Sequence, residues 1–142
     1  MAKIDEEYLL KALDNDNNDS IVKLTSPKIK MAKNDILQKL QFSKEKLKEF
    51  HKKLKEYRYV DEIKDINYGC FLRWIDLTNI EELYLTSGAY LCEIQINNSG
   101  VKLICKNIFN KHFCVNMNDI LLFQKLTNQE KILLSVMNHL NT

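Results

Sequence analysis

Apolar residues recur along this chain at two different periods, and the change falls near residue 60. Up to Arg58 they stand three and four apart among lysines, the spacing of a helical face. From Tyr68 to Leu126 they alternate two by two in short runs broken by turn residues, the spacing of strands. Ile4, Tyr8, Leu9 and Leu13 fit a short first helix, and the polar stretch Asp14 to Ser20 reads as a linker, because its side chains compete with the backbone for hydrogen bonds. At Ser26-Pro27 a new helix is expected: serine caps free N–H groups, and proline at the first helical position has no N–H to lose. Its apolar positions are Ile29, Ile36, Leu40, Leu47, Phe50, Leu54 and Tyr57. Of these, Ile36, Leu40, Leu47, Phe50, Leu54 and Tyr57 form a candidate helix interface with a coiled-coil rhythm, which Lys33 and Ser43 interrupt. Ser43 can also restart a second helix after Phe42, so one rod or two helices stay open over 27–58.

Beyond residue 60 five strand runs can be drawn: Cys70 to Leu77, Ala89 to Ile96, Val101 to Ile108, His112 to Met117 and Ile120 to Leu126. Asn97-Asn98-Ser99-Gly100 is a hairpin signal, since asparagine and glycine tolerate positive φ. Alternation puts Tyr90, Cys92, Ile94 and Ile96 on one face, opposite Glu93 and Gln95. It likewise sets Val101, Leu103 and Cys105 against Lys102 and Lys106, and Phe113, Val115 and Met117 against His112, Cys114 and Asn116. Cys92 and Cys105 are therefore expected in the core. The first and fifth runs are apolar on both faces. Five short antiparallel strands, with a longer connection over Thr78 to Gly88 that could hold a sixth within Glu82 to Thr86, resemble an SH3-like small barrel. Thr127-Asn128-Gln129-Glu130 is a capping box, followed by a helix with Ile132, Leu133, Val136, Met137 and Leu140 on one side. The expected fold is α+β: a short helix and linker over 1–26, a basic helical arm over 27–60, and a small SH3-like antiparallel β-barrel with a C-terminal helix over 61–142.

Charge sharpens this division. Residues 28–58 hold 11 basic and 4 acidic side chains, a balance of +7, against −3 before them and −2 after. Attraction for a polyanion must come from the arm, where Lys44, Lys48, Lys52, Lys53 and Lys55 are the candidate phosphate contacts. With 19 lysines and 2 arginines, such contact would be non-specific, because reading of base edges favours arginine forks. Three readings of the arm stand side by side: packing on its own β unit, self-association or a partner helix, and nucleic-acid contact.

Candidate chemistry is sparse. At 142 residues, with 45% hydrophobic side chains, the chain can bury a core without staples. Its longest apolar runs are far short of the ~20 residues that cross a bilayer. The opening Met-Ala-Lys-Ile-Asp-Glu-Glu carries no stretch of signal-peptide type, so a soluble intracellular protein with reduced thiols at Cys70, Cys92, Cys105 and Cys114 is expected. His112 and Cys114 share a strand face but lack the further ligands zinc needs, and the thiol has no evident activating group. Trp74 with Tyr68, Tyr84, Tyr90 and Phe113 could form an aromatic cage of the kind that takes methylated lysine or stacks bases. Arg73, Trp74 and Tyr84 are the candidate binding surface, and Arg73 should be paired, with Glu93 or Asp76 as partner. No catalytic, cofactor or metal residues are expected, and no small-molecule substrate is evident.

The stretches Tyr68-Gly69-Cys70-Phe71-Leu72-Arg73-Trp74-Ile75, Leu85-Thr86-Ser87-Gly88 and Phe123-Gln124-Lys125-Leu126-Thr127-Asn128-Gln129-Glu130 resemble small uncharacterised proteins of giant double-stranded DNA viruses. The resemblance covers about the C-terminal half. It implies a viral setting in the host cytoplasm or the virion and no catalytic residue. The expected function is a non-enzymatic interaction or assembly protein that engages a protein partner or itself. The alternative is DNA or RNA binding through the lysine-rich arm.

Overall fold

The computed structural model describes Glu7, residues 10–12 and residues 25–140. It is an α+β chain with N-terminal helices, a six-stranded antiparallel sheet and a C-terminal helix, and it divides into two compact units. Of the helix expected over 4–13, the described residues are helical; the linker over 14–20 lies outside the described residues.

One unit comprises residues 1–42 and 126–142. Helix α1 spans Ser26–Gln38. Thr25, not Ser26, is its cap, with Oγ1 accepting the Lys28 N–H, so Pro27 falls one position later than expected. Ser26 is used instead by the last helix, α3 (Asn128–Leu140): its N–H donates to Asn138 Oδ1 at 3.1 Å, and Asn138 Nδ2 donates to Ser26 Oγ at 2.7 Å. Between the helices, Ala12, Ile29, Leu133 and Leu134 form a small core with Leu126 packed against it. The buried stripe of α1 is Ile29, Lys33 and Leu37, four residues apart, so Lys33 sits in the stripe instead of interrupting it. Burial first, and then the neighbouring Lys30, lower the Lys33 ammonium pKa, because both disfavour its charged form.

The capping box forms as expected. Thr127 Oγ1 accepts the Glu130 N–H at 3.1 Å, and Glu130 Oε1 accepts the Thr127 N–H at 3.0 Å. The buried side of the helix differs from the expected one: Glu130, Leu133 and Leu134 are buried, while Leu140, expected on the apolar side, is exposed. Thr127→Ala should lower stability by about 1 kcal/mol in urea denaturation, with Thr127→Ser nearly neutral. An unchanged midpoint for the alanine variant would show that the box contributes nothing.

The second unit, Ser43–Lys125, holds helix α2 (Lys44–Lys53) and the sheet. Ser43 caps α2 by accepting the Lys46 N–H, so the arm is two helices, with Gln41 at φ 56° in the turn between them. Tyr57, expected on the helical seam, begins strand β1 (Tyr57–Val60). The other strands are β2 (Phe71–Asp76), β3 (Ala89–Asn97), β4 (Gly100–Lys106), β5 (His112–Asn116) and β6 (Ile120–Lys125). Their order is β1-β6-β2-β3-β4-β5, antiparallel throughout. Five expected strands are present, but the sixth is β1, and within Glu82 to Thr86 only a single bridge forms, Leu85 to Ile75. The sheet is not closed into a barrel: among the described residues β1 and β5 are its two free edges.

The sheet is curled enough that Trp74 of β2 and Phe113 of β5, three strands apart in the sheet order, have ring centroids 5.7 Å apart on the concave face. The core fills that face with Val60, Ile66, Leu72, Trp74, Ala89, Leu91, Leu103, Cys105, Ile120 and Leu122. β6 is buried from Ile120 to Gln124, as its two-sided apolarity required. One expected face is half wrong. A bulge between Leu91 and Glu93 inserts Cys92 as an extra residue, so parity changes along β3. Before the bulge Ala89 and Leu91 face the core, leaving Tyr90 and Cys92 exposed; after it Ile94 returns to the core face. In the β3–β4 hairpin only Gly100 takes positive φ (126°), while Asn97 Oδ1 accepts the Ser99 N–H at 2.9 Å.

Candidate functional site

One end of the concave face is sealed and the other is open. At the sealed end a short 3-10 turn, Ile63–Asp65, is fastened to the sheet by two buried polar side chains. Gln124 Nε2 and Arg58 Nη2 both donate to the Asp65 carbonyl, at 3.2 and 3.0 Å, and Gln124 Oε1 accepts the Asn67 N–H at 2.9 Å.

The open end is built by β2, the connection after it, and β5. On β2, Leu72, Trp74 and Asp76 share the concave face by the two-residue period. Asp76 then stops the strand: its Oδ1 accepts the Thr78 N–H at 2.9 Å and the Thr78 hydroxyl at 2.6 Å. Those two hydrogen bonds, the hydroxyl's first, hold the Asp76 carboxyl below its ordinary pKa. The chain returns alongside β2, where the Thr86 N–H donates to the Trp74 carbonyl at 3.0 Å and Thr86 Oγ1 accepts the Trp74 N–H at 3.2 Å. This fastened strap carries Tyr84, with 58% of its surface exposed, to the cleft. Gly88 ends the strap at φ 98°, where a Cβ would lie 2.6 Å from the Leu72 carbonyl.

The opposite wall is β5. Four consecutive residues, Phe113 to Asn116, line the cleft, so the edge of that strand borders it and not one face alone. Asn107 and Asp119 complete the rim. Asn107 is fixed by accepting the Phe109 and Lys111 N–H groups, and Asp119 lies on the 3-10 turn Met117–Asp119, whose backbone carbonyl accepts the Leu77 N–H at 2.8 Å. The resulting cleft is about 640 Å3, within the usual range of ligand sites, ~300–1,000 Å3. Three aromatic rings, Trp74, Tyr84 and Phe113, and two carboxylates, Asp76 and Asp119, line it, and no lysine, arginine or histidine occurs among its described lining residues.

Of the expected aromatic cage, the structure brings Trp74, Tyr84 and Phe113 together. Tyr90 lies on the other face of the sheet, edge-on to Phe71 at 4.9 Å, and exposed Tyr68 is absent from the lining. Arg73 also points away from the cleft. Its Nε donates to the Thr86 carbonyl at 2.8 Å and it hydrogen-bonds Tyr57, so its partners are neither Glu93 nor Asp76. Burial is the chief reason that the Tyr57 hydroxyl pKa is raised; Arg73 opposes it. Asp76 and Asp119 were missed as cleft residues. Asp76 was accessible to the two-residue period from Trp74, whereas Asp119 needed the fold.

The candidate helix interface does not assemble as one seam. Phe50, Leu54 and Tyr57 are buried within the chain, Leu47 is half-buried, and Ile36 and Leu40 are half-buried residues of the other unit. The lysines are displayed: Lys44, Lys48, Lys52, Lys53 and Lys55 are all exposed, and Lys53 pairs with Glu49 at 2.8 Å. That contact lowers the Glu49 carboxyl pKa.

His112 and Cys114 are exposed neighbours, and among the described residues no group of three or more His, Cys, Asp or Glu side chains could hold a metal ion. Burial pushes the Cys105 thiol up to about 12, with Cys92 and Cys114 on the flanking strands adding to the shift. A raised pKa favours the protonated folded state, so this contribution is complete below the ordinary value of 9.0 and is lost as pH climbs towards 12. In a thiol titration at neutral pH, Cys92 and Cys114 should react in the native protein and Cys105 only on unfolding. Fast labelling of Cys105 would show that the concave core opens.

Comparison with family models, with curated proteins and with solved structures returns no match to this chain. No helix among the described residues is long and apolar enough to cross a membrane.

Proposed function

We propose that this chain is a non-enzymatic interaction protein whose recognition element is the cleft at the open end of the sheet. The supporting observation is the composition of that cleft, with three aromatic and two acidic residues on a strand framework beside a sheet edge left unpaired among the described residues. The burial of Phe50, Leu54 and Tyr57 moves the reading away from the arm, since apolar side chains already covered within the chain are not available to a partner helix. The viral setting and an assembly role belong to the same reading and rest on the sequence resemblance alone. Peptide display against the full chain, followed by hydrogen exchange of the winning complexes, tests it. Enriched peptides should slow exchange at residues 84–88 and 112–116. No enrichment, or protection confined to other segments, overturns it.

A second reading is nucleic-acid binding. Lys44, Lys48 and Lys52 stand at four-residue spacing on α2 and are all exposed, which favours contact with a row of phosphates. Fluorescence titration with DNA and RNA should then show affinity falling steeply with salt, and Lys48→Gln with Lys52→Gln should flatten that slope. Absence of binding at low salt removes the reading.

A further inference from the structure

We infer that the cleft takes the ammonium group of a lysine carried on an extended peptide that adds as a strand to the free edge of β5. This rests on the reading of the cleft as an interaction site and specifies its partner.

The charge of the lining selects the side chain. Asp76 and Asp119 give the cleft two carboxylates, with no cationic side chain among the described lining residues to neutralise them. A carboxylate cleft faced by aromatic rings is complementary to a cation, because the negative face of a ring attracts an ammonium and each methyl added to it improves contact with the ring. Trp74 and Phe113 form a tilted pair on the floor, and Tyr84 stands exposed on the rim, where it can close over an entering chain.

The size and the edge select the carrier. At about 640 Å3 the cleft is larger than one ammonium group needs, and it holds the side chain together with flanking backbone. One wall is the edge of β5, which among the described residues pairs only with β4. An edge strand leaves alternate N–H and C=O groups unpaired, and folds guard such edges with charges, proline or short length. β1, the other edge, is four residues long and carries the buried charge of Arg58. β5, His112 to Asn116, has no lysine, arginine, aspartate, glutamate or proline. A peptide strand paired there has main-chain hydrogen bonds for affinity and, with side chains alternating, one that enters the cleft for specificity.

Trp74 is the chain's single tryptophan and lies in the cleft, so its emission reports occupancy. The full chain is titrated with four short extended peptides identical but for one central residue: lysine, trimethyl-lysine, arginine or the neutral norleucine. The lysine or trimethyl-lysine peptide should shift Trp74 emission, slow exchange at residues 112–116, and bind at least about tenfold more tightly than the norleucine peptide. Asp119→Asn should remove most of that difference. Asp119 is the better variant because Asp76 also holds the Thr78 turn. The ratio of lysine to trimethyl-lysine affinity tells which form is preferred, and a tighter arginine peptide overturns the choice of lysine. If display peptides protect the cleft but norleucine binds as well as lysine, the ammonium assignment falls and the interaction reading stands. If no peptide perturbs Trp74 or the 112–116 edge, both fall.

Discussion

Gly88→Ala should destabilise the sheet unit by about 3 kcal/mol, with the denaturant midpoint falling and the slope unchanged. Two penalties coincide at this position. Its φ of 98° lies in a region that side-chain-bearing residues rarely occupy, and a Cβ there would approach the Leu72 carbonyl oxygen to 2.6 Å and the Phe71 ring to 2.6 and 2.8 Å. A carbonyl in a sheet cannot swing aside as the end of a flexible side chain does. The junction it closes is short: β2 and β3 pair at Phe71–Tyr90 and Leu72–Ala89, and the pairing is extended by the Gly69 N–H to the Leu91 carbonyl and the Leu91 N–H to the Cys70 carbonyl. Gly69→Ala separates the two penalties: φ there is 79° with nothing within 4 Å of the added atom, so only backbone strain remains, roughly 1–2 kcal/mol. Equal losses for the two variants would show that the close approach at Gly88 costs nothing. Because Gly88 also lines the cleft, its alanine variant should weaken peptide binding beyond the loss of folded protein.

Strand parity was legible wherever the ladder was regular. Leu103 and Cys105, and Phe113 and Val115, face the core as alternation required, because the β4–β5 register runs unbroken, and Val101 and Met117 pack against the same core. Cys92 was misplaced for one physical reason: a bulge adds a residue without changing composition, and no residue type in Tyr-Leu-Cys-Glu announces it. β1 was hidden because Tyr57, Arg58, Tyr59 and Val60 extend a lysine-rich helical rhythm, and only pairing with β6 makes them a strand. Closure was overestimated. Burial of β6 from Ile120 to Gln124 shows that both its faces are covered, but a covered face does not require the edges to meet.

The cleft was legible in pieces. Trp74 and Tyr84 were visible as unusual aromatic residues, and Phe113 as their possible companion. Their grouping depends on the strap that Thr86 fastens to Trp74 and on the curl of the sheet, both long-range consequences of pairing. Arg73 looked functional because an arginine among strand apolar residues needs a partner; the partners it found, a backbone carbonyl and a tyrosine, are structural.

The second large effect belongs to the sealed end. Gln124→Leu should cost about 2–3 kcal/mol, although leucine is close in size and more apolar. Gln124 has no exposed surface, and both ends of its amide are used: the Asn67 N–H and the Asp65 carbonyl each bond to it. Leucine saves the burial of one amide but strands the Asn67 N–H, whose desolvation is then uncompensated. The Asp65 carbonyl keeps its bond from Arg58, which limits the loss. That sharing makes the two side chains non-additive. Arg58→Met alone leaves the carbonyl to Gln124, whereas the double variant leaves it bare, so the double loss should exceed the sum of the single losses by about 1 kcal/mol. Amide exchange localises the effect: the Asn67 N–H should exchange much faster in Gln124→Leu, with residues 112–116 at the open end unchanged. Strict additivity, or an Asn67 amide as protected as before, would mean that the buried amide fills space without holding the turn.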